Sequence, residues 1–329
     1  MAQGGGGPPV IFHQILCYDS FKPIFLCGVE SLFRQTPRNH SEIWLWVRSQ
    51  EQETTLKNLV SRLVPDAEEG PAIVYKRLEF DTIFQKTPFH SFYDPKALTR
   101  GLPLDPDRYG KHGWQAVYDA VRLAILHKYG GFYMDADHIV TRDASRLPYG
   151  FATYSRSAGA NNAFYLPKGH EMTYDLMTWF LGNYSGSDWS QGPKAFKRLW
   201  EQGGWQGRCG SPSASSCSPH VQEWPPWIIH PVKYKVYMKT MLDPLYDDKA
   251  HAESRIADYA FMVHTYSHVS DEPEMEMLKK CTVSHPKDPI GEYARSVVGQ
   301  QRVRHCPRTV DEMLCDALGE KPPCKKQKQ

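Results

Sequence analysis

Two aspartates separated by one residue form the pattern in this sequence with the clearest chemical use. Asp135 and Asp137 follow the short apolar run Gly131–Met134, which predicts a β-strand. Residues two apart on an extended segment project to the same side, so both carboxylates are expected to face one hard divalent cation. A solvated turn after a strand is the commoner setting for an isolated Asp-x-Asp, so the interpretation depends on the surrounding elements.

The segment before this pair predicts an amphipathic helix. The helix covers Trp114–Tyr129 and ends at a Gly130-Gly131 pair that allows the backbone to approach a ligand closely. Asp119 and Arg122 lie three residues apart and therefore share a helix face, where they are placed to reach a ribose or base and a phosphate. The alternative is an exposed ion pair worth about a few tenths of a kcal/mol, and spacing alone favours it.

The elements that must position these residues alternate between strand and helix patterns. This alternation predicts an α/β layer with a mostly parallel sheet, whose ligand sites lie at the carboxyl ends of the strands. Two stretches rich in Pro, Gly, Asp or Ser predict long surface segments, at 87–112 and 202–219. The predicted strands are Val10–Leu16, Ile43–Val47, Ala72–Tyr75, Gly131–Met134, Phe151–Ser155 and Ala163–Leu166, and the predicted helices include Pro23–Gln35, Thr54–Leu63, Glu171–Leu181, one opening at Gly192-Pro193 and one near Val310–Leu318.

Composition excludes several classes of protein. The 329 residues carry a formal charge of +2, which provides no long-range field to recruit nucleic acid. With 41% hydrophobic and 23% charged residues the chain has a globular composition, and no run approaches the roughly 18 apolar residues of a membrane-spanning helix. None of the eight Cys pairs at CxxC spacing, which argues against a zinc ribbon or a thioredoxin site and leaves a few disulfides open.

Residues 118–140, YDAVRLAILHKYGGFYMDADHIV, resemble the signature of glycosyltransferases with a DXD sugar-binding region. The resemblance is specifically to the animal α1,4-galactosyltransferase and α1,4-N-acetylglucosaminyltransferase type of glycosyltransferase family 32. It implies one GT-A domain over 10–318, with a Rossmann-like, mixed, mostly parallel sheet flanked by helices, between a flexible leader (1–9) and a disordered basic tail (319–329). Further segments that resemble family motifs in order are FLCGVESLFRQTP (25–37), NNAFYLP (161–167), QGP (191–193), MVHTYSH (262–268) and HCPRT (305–309).

The resemblance also implies a chemistry. It is that of a retaining transferase that moves a hexose, galactose or N-acetylglucosamine, from a UDP-sugar to a hydroxyl of a glycan, glycolipid or glycoprotein, assisted by Mn²⁺ or Mg²⁺. Relatives are anchored in the Golgi lumen, and Cys27 and Cys306 lie in matched segments, so some cysteines are expected in an oxidising lumen. The sequence has no visible anchor or signal peptide, so a cytosolic or secreted location stays open. Membrane contact is then expected only through a missing anchor or a lipid acceptor.

The resemblance assigns expected roles residue by residue. It supplies no obvious carboxylate nucleophile; Asp188, which lies beside Gln191, is the candidate nucleophile of a double displacement, and Gln191 is the second catalytic candidate. His264 matches a motif histidine and is the expected third metal ligand, the alternative being an ordinary core histidine. His138 and Asn162 depart from the family pattern, replacing an apolar residue and a glycine. The expected metal ligands are Asp135, Asp137 and His264, and the expected donor-contacting residues are Asp119, Arg122, Asp135, Asn161 and Gln191.

Two other functions remain as alternatives. One is a sugar-nucleotide- or glycan-binding protein of the same fold without activity, which predicts broken motif residues. The other is a metal-dependent phosphohydrolase that uses the same Asp pair. Such an enzyme needs further clusters of His and Asp ligands, and the sequence contains no H-x-D or D-x-H motif. The sequence does not identify the acceptor molecule.

Overall fold

The computed structural model describes residues 9–17, 23–64, 70–92, 113–155, 158–183, 191–209, 219–230 and 260–264. Within these residues no helix is long and apolar enough to cross a membrane. The strands are β1 (Val10–Ile15), β2 (Ser41–Val47), β3 (Ala72–Arg77), β4 (Gly131–Met134), β5 (His138–Val140), β6 (Gly150–Ser155), β7 (Ala158–Leu166), β8 (Gln222–Glu223) and β9 (Met262–His264). The helices are α1 (Pro23–Gln35), α2 (Gln50–Leu63), α3 (Phe80–Phe84), α4 (Gly113–Tyr129), α5 (Glu171–Asn183), α6 (Gln191–Glu201), α7 (Trp205–Cys209) and α8 (Pro226–Ile229).

Seven strands form one mixed sheet in the order β3-β2-β1-β4-β7-β6-β8. Strand β7 is antiparallel to both of its neighbours, and the other six strands run in one direction. The chain order reverses between β1 and β4, and ligands of open α/β sheets bind at the carboxyl ends of strands at such a point. Asp135 follows the carboxyl end of β4 directly. The expected α/β fold, with its mixed, mostly parallel sheet flanked by helices, is thereby confirmed.

Apolar side chains cover both faces of this sheet. Helices α1 and α2 pack on one face through residues such as Val29 and Leu56. Helices α3 to α7 pack on the other face, where Val121 of α4 meets Tyr133 and Phe164 from the sheet in one buried cluster. Because both faces are buried, the strands carry near-continuous apolar runs, as expected for a mostly parallel sheet.

Strand β5 leaves the main sheet and forms a separate antiparallel pair with β9. In its register His138 lies opposite His264, and Val140 lies opposite Met262. The pairing brings a segment more than 100 residues downstream of the DXD turn against that turn. The sequence pattern did not predict β5, because three residues are too few to show an alternation.

Helix α1 packs closely against the DXD turn. A Cβ atom on Gly28 would lie 2.3 Å from the carbonyl oxygen of Ala136 and 3.0 Å from that of His138, so only glycine permits this approach. Ser31 donates to the carbonyl of Gly28 at 2.8 Å and accepts from the backbone N–H of Val140 at 2.9 Å. The turn and β5 are therefore fixed to a buried helix.

Several predicted boundaries differ from the observed ones. Strand β7 begins at Ala158 rather than Ala163, because register shifts in its hairpin with β6 absorb the extra residues. The predicted surface segment 202–219 contains α7, which is buried through Trp205 and through Cys209, a disulfide-bonded residue. The segment 87–112 opens with a 3-10 helix, Pro88–Phe92, before it leaves the described residues. The predicted helix at 310–318 lies outside the described residues.

Candidate functional site

The two aspartates lie in a turn at the end of β4 rather than on an extended segment. Ala136 and Asp137 form the turn, so the expected straight geometry is wrong. The backbone N–H of Asp135 donates to the carbonyl of Asn162 in β7 at 2.8 Å, and the Tyr133 hydroxyl donates to Asp135 Oδ1 at 2.7 Å. The Asp135 side chain is 28% exposed and that of Asp137 is 8% exposed. One carboxylate therefore opens towards solvent while the other points inwards.

Arg122 of α4 joins the DXD turn to the helix beneath it. Its Nη2 lies 2.9 Å from Asp119 Oδ1, and its Nη1 lies 3.2 Å from Asp135 Oδ1. The same Nη1 donates to the carbonyl of Asn161, and the guanidinium lies 5.0 Å from the centre of the Tyr133 ring. The Arg122 side chain is only 8% exposed, so the exposed ion pair that spacing favoured is wrong.

Asp119 is a buried acid with one oxygen held and one oxygen available. Its Oδ1 accepts from Asn161 Nδ2 at 3.0 Å and pairs with Arg122, whereas its Oδ2 has no hydrogen-bond partner among the described residues. Burial raises its pKa from 3.8 to about 6, against the lowering effect of Arg122. Burial also raises the pKa of Asp135, again opposed by Arg122. The unused oxygen can accept from a ligand hydroxyl or N–H.

Replacing Asp119 by asparagine should stabilise the ligand-free protein above pH 6. An acid whose pKa is higher in the folded chain than in the unfolded chain makes its full contribution to the free energy of unfolding below about pH 4. That contribution is lost as the pH rises through about 6. A rise of about two in the pKa corresponds to a loss on the order of 3 kcal/mol in the free energy of unfolding, and the neutral amide avoids this loss. Thermal unfolding from pH 4.5 to 8 should show a gap between variant and wild type that widens as the pH rises to about 6 and stays level above it. Asp81→Asn, on the exposed side of α3, is the control, and a gap that is constant with pH contradicts the prediction.

The second DXD carboxylate faces the histidine that β9 delivers. Asp137 Oδ2 lies 3.3 Å from His264 Nε2, and both side chains are buried. The pairing of β5 with β9 produces this contact, since it places His264 opposite the residue that follows Asp137. A carboxylate oxygen and an imidazole nitrogen at this separation have the spacing of two ligands on one ion. The expected ligand set is therefore brought together for Asp137 and His264.

Three buried histidines, His138, His230 and His264, lie beside this contact with ligand atoms within 4.8 Å of one another. The rings of His138 and His264 stack at 4.6 Å between centroids and 9° between planes. Nitrogen lone pairs lie in the ring plane, so two parallel stacked rings cannot direct them at a common ion. Burial lowers the pKa of His138 to about 3 and that of His230 well below 6.5. We interpret the cluster as hydrogen-bonding rings and not as one metal centre.

The structure describes two of the three remaining expected site residues, Asn161 and Gln191. Asn161 contacts Asp119 through its side chain and Arg122 through its carbonyl, which places it in the same network. Gln191 is the first residue of α6, and Asp188 lies outside the described residues. Sequence reasoning missed Tyr133 as a partner of Asp135, although Tyr133 lies on β4 only two residues before the first aspartate, and this spacing was a usable signal.

Comparison with known proteins gives a consistent set of similarities. One family model, described as "Glycosyltransferase sugar-binding region containing DXD motif", matches residues 24–153. A second, described as "Alpha 1,4-glycosyltransferase conserved region", matches residues 165–313. The first match contains the Asp119, Arg122 and Asp135 network, and the second begins within β7 and continues past His264.

Named relatives show the same pattern. Lactosylceramide 4-alpha-galactosyltransferase of Mus musculus is 24% identical over 296 residues, which are 87% of this chain and 70% of that protein. The Homo sapiens protein of the same name is 24% identical over 88% of this chain and 73% of its own. Alpha-1,4-N-acetylglucosaminyltransferase of Homo sapiens is 30% identical over 123 residues, 37% of this chain and 33% of that protein. Among solved structures, the apo-form glycosyltransferase GlyE of Streptococcus pneumoniae TIGR4 has a TM-score of 0.43 at 12% identity, over 94% of this chain and 63% of that one.

Proposed function

The chain belongs to the glycosyltransferases that contain a DXD sugar-binding region and an α1,4-glycosyltransferase conserved region, and we propose that it transfers galactose or N-acetylglucosamine from a UDP-sugar. The acceptor in this proposal is a hydroxyl of a glycan, glycolipid or glycoprotein. The observation that carries the proposal is the buried Arg122 guanidinium, which joins the first DXD carboxylate to Asp119. An inactive binding protein predicts broken motif residues, whereas Asp119, Arg122, Asp135 and Asp137 are all present.

The proposed donor pocket lies above the carboxyl ends of β1 and β4. Asp119 offers its unused Oδ2 to a hydroxyl or N–H of the nucleoside, and Asn161 holds the other oxygen of that carboxylate. Arg122 is committed to three acceptors, so it acts on the donor chiefly by fixing Asp119 and Asp135. Gln191 lies at the start of α6, where backbone amides and the helix dipole favour an anionic donor group.

The contact between Asp137 and His264 supports a metal site. In the proposal Asp135, Asp137 and His264 would hold the ion, an oxygen-rich set with one imidazole of the kind that accommodates Mn²⁺ or Mg²⁺. When bound, such an ion neutralises charge on a diphosphate leaving group. The Asp137 carboxylate points inwards and lies 3.3 Å from His264 Nε2, and this contact orients it before any ion arrives.

The proposed reaction retains the configuration at the sugar carbon C1. The bond from C1 to the diphosphate oxygen breaks, the acceptor hydroxyl oxygen forms a bond to C1 on the same face, and the hydroxyl proton passes to the departing phosphate oxygen. Asp188 and Gln191 stay candidates for the group that stabilises the cationic sugar, with Asp188 as the nucleophile if the reaction has two steps.

An oxidising compartment such as the Golgi lumen is the proposed location. Among the described cysteines, Cys209 is disulfide-bonded, whereas Cys17 and Cys27 form no disulfide. Persistent disulfides are typical of proteins that fold in secretory compartments.

The proposal is tested by donor turnover. The full chain is incubated with UDP-galactose, UDP-N-acetylglucosamine or UDP-glucose, with Mn²⁺, with and without a lactose-terminated acceptor, and UDP release is measured. We expect release from one of the first two donors, loss of release on chelation with EDTA, and recovery on adding Mn²⁺. An α-linked product by NMR supports retention.

Three results would count against the proposal. UDP binding without turnover of any donor favours the inactive binding protein. Release of inorganic phosphate in place of UDP favours the phosphohydrolase. A β-linked product contradicts retention and leaves the transferase assignment in place.

A further inference from the structure

A chain of hydrogen-bond contacts runs from the backbone of β6 to the second DXD carboxylate. His230 Nδ1 lies 3.0 Å from the carbonyl oxygen of Thr153, and His230 Nε2 lies 2.9 Å from Asn162 Nδ2. The same amide nitrogen lies 3.1 Å from His264 Nδ1, and His264 Nε2 lies 3.3 Å from Asp137 Oδ2. All of these residues are buried, so water does not substitute readily for any of the contacts.

The carbonyl of Thr153 sets the direction of the whole chain. A carbonyl oxygen only accepts, so His230 Nδ1 must carry hydrogen, and the neutral ring then has an accepting Nε2. The group that faces this Nε2 must donate, which means that Asn162 presents its amide nitrogen and not its oxygen. The amide has two hydrogens and serves both rings, so His264 Nδ1 also accepts. The ring of His264 therefore carries its only hydrogen on Nε2, towards Asp137.

This tautomer opposes the binding of an ion by His264. A ring nitrogen that carries hydrogen has no lone pair for a metal, so Nε2 becomes a ligand only when the hydrogen resides on Nδ1. A hydrogen on Nδ1 would face the amide hydrogens of Asn162. If Asn162 turns to present its oxygen, that oxygen faces the lone pair of His230 Nε2 instead. Loading an ion onto His264 thus costs one favourable contact in this chain.

We propose that Asn162 and His230 are positioning residues that weaken divalent-ion binding by Asp137 and His264, because together they hold His264 with its hydrogen on Nε2. The inference rests on the proposed function, which assigns Asp137 and His264 to the ion. Partners of the outer shell that orient a metal-binding histidine typically change metal affinity by about 10- to 100-fold. Here the wild-type partners hold the unfavourable orientation, so their removal should strengthen binding.

His230→Phe is the variant that isolates this effect. Phenylalanine fills the site without a lone pair, so the amide of Asn162 is free to turn its oxygen to a hydrogen on His264 Nδ1. We expect Mn²⁺ to bind about tenfold more tightly than to wild type, measured from the free-ion EPR signal at one fixed pH. A role of His230 in packing alone predicts unchanged or weaker binding.

The double variant Asn162→Leu/His230→Phe is the matched control. If His230 acts through the amide, then His230→Phe should change Mn²⁺ affinity in the wild-type background and leave it unchanged in the Asn162→Leu background. Equal effects in the two backgrounds would show that His230 acts by another route, and the proposal would be abandoned.

The tautomer itself is measured on the metal-free wild-type chain, which requires no variant to fold. Ring ¹⁵N chemical shifts of ¹⁵N-histidine-labelled protein distinguish the two tautomers, and the His264 signal is assigned by its loss in His264→Gln. We expect hydrogen on Nε2 in wild type and a shift towards Nδ1 in His230→Phe. Hydrogen on Nδ1 in wild type overturns the inference. Neither readout needs a sugar donor, so a failure of the proposed transferase activity is a separate result.

Discussion

Replacing Asp137 by alanine should abolish the binding of UDP that depends on Mn²⁺. The carboxylate of Asp137 points inwards, lies 3.3 Å from His264 Nε2, and is the acid of the DXD pair that contacts the predicted third ligand. Loss of a direct ligand should exceed the roughly 10- to 100-fold cost of losing an outer-shell partner, so we expect at least a 100-fold loss of Mn²⁺ affinity. Turnover of any UDP-sugar donor should fall below detection. Mn²⁺ and UDP binding by calorimetry, and UDP release, measure these effects.

Two variants separate the charge of Asp137 from its hydrogen bond and from general damage. Asp137→Asn keeps an acceptor for His264 Nε2–H and loses the charge, so it should keep the fold and lose the ion. Asp81→Ala removes an exposed carboxylate from α3 and should change neither. Retention of UDP binding that depends on Mn²⁺ in Asp137→Ala would remove the metal assignment and, with it, the proposed role of the DXD turn.

The sequence predicted the α/β layer that carries the site, because the helices and strands of that layer have apolar patterns set by short-range geometry. The strand at Val10, the helix from Pro23 and the strand at Ile43 each show an apolar pattern that short-range geometry determines. The direction of β7 could not be read from its own residues, because antiparallel pairing depends on a hairpin whose register shifts between Phe151 and Ser155. Periodicity describes an element, whereas neighbours decide where it lies.

The site shows the same division between local and distant causes. Asp119 and Arg122 share a helix face by spacing, and the sequence predicts this correctly. Their burial depends on β4 and β7 covering the helix face, and spacing alone therefore favoured the weaker, exposed pair. The contacts of Asn162 with His230 and His264 join residues 68 and 102 positions apart, and no local pattern reports them. The resemblance to a family supplied His264, but not the residues that orient it.

Strands β4 and β7 connect the donor-side network of Asp119 and Arg122 with the metal-side network of Asp137 and His264. The backbone N–H of Asp135 donates to the same strand that provides Asn161 to Asp119 and Asn162 to His264. Adjacent strand residues project to opposite faces of the sheet, so these neighbouring asparagines serve different sides of the DXD turn. A shift of β7 by one residue would bring an alanine, Ala160 or Ala163, into one of the two asparagine positions. The register between β4 and β7 therefore fixes the donor-side and metal-side networks at once.

Arg122→Met is expected to have the largest effect on stability. Methionine keeps an unbranched apolar stem but leaves the carboxylates of Asp119 and Asp135 without their shared cation. Breaking a buried ion pair by removing one partner costs about 3–5 kcal/mol, because a buried charge is left uncompensated. Urea unfolding should show this loss in the free energy of unfolding. UDP affinity should fall at least tenfold, because the two acids lose their fixed positions.

The cause of that loss can be tested by removing one stranded charge. Asp119→Asn in the Arg122→Met background should restore part of the stability, because it removes the negative charge that Arg122→Met leaves without its cation. The effects of the two substitutions on the free energy of unfolding will therefore not add. Arg146→Met is the matched control, since Arg146 pairs with Asp143 at 3.2 Å with its side chain 80% exposed. Exposed pairs contribute roughly 0–1 kcal/mol, so the control should be nearly neutral. If Arg122→Met unfolds at the same urea concentration as the control, the guanidinium does not hold the donor site together, and the network must draw its stability from the packing of α4 against the sheet.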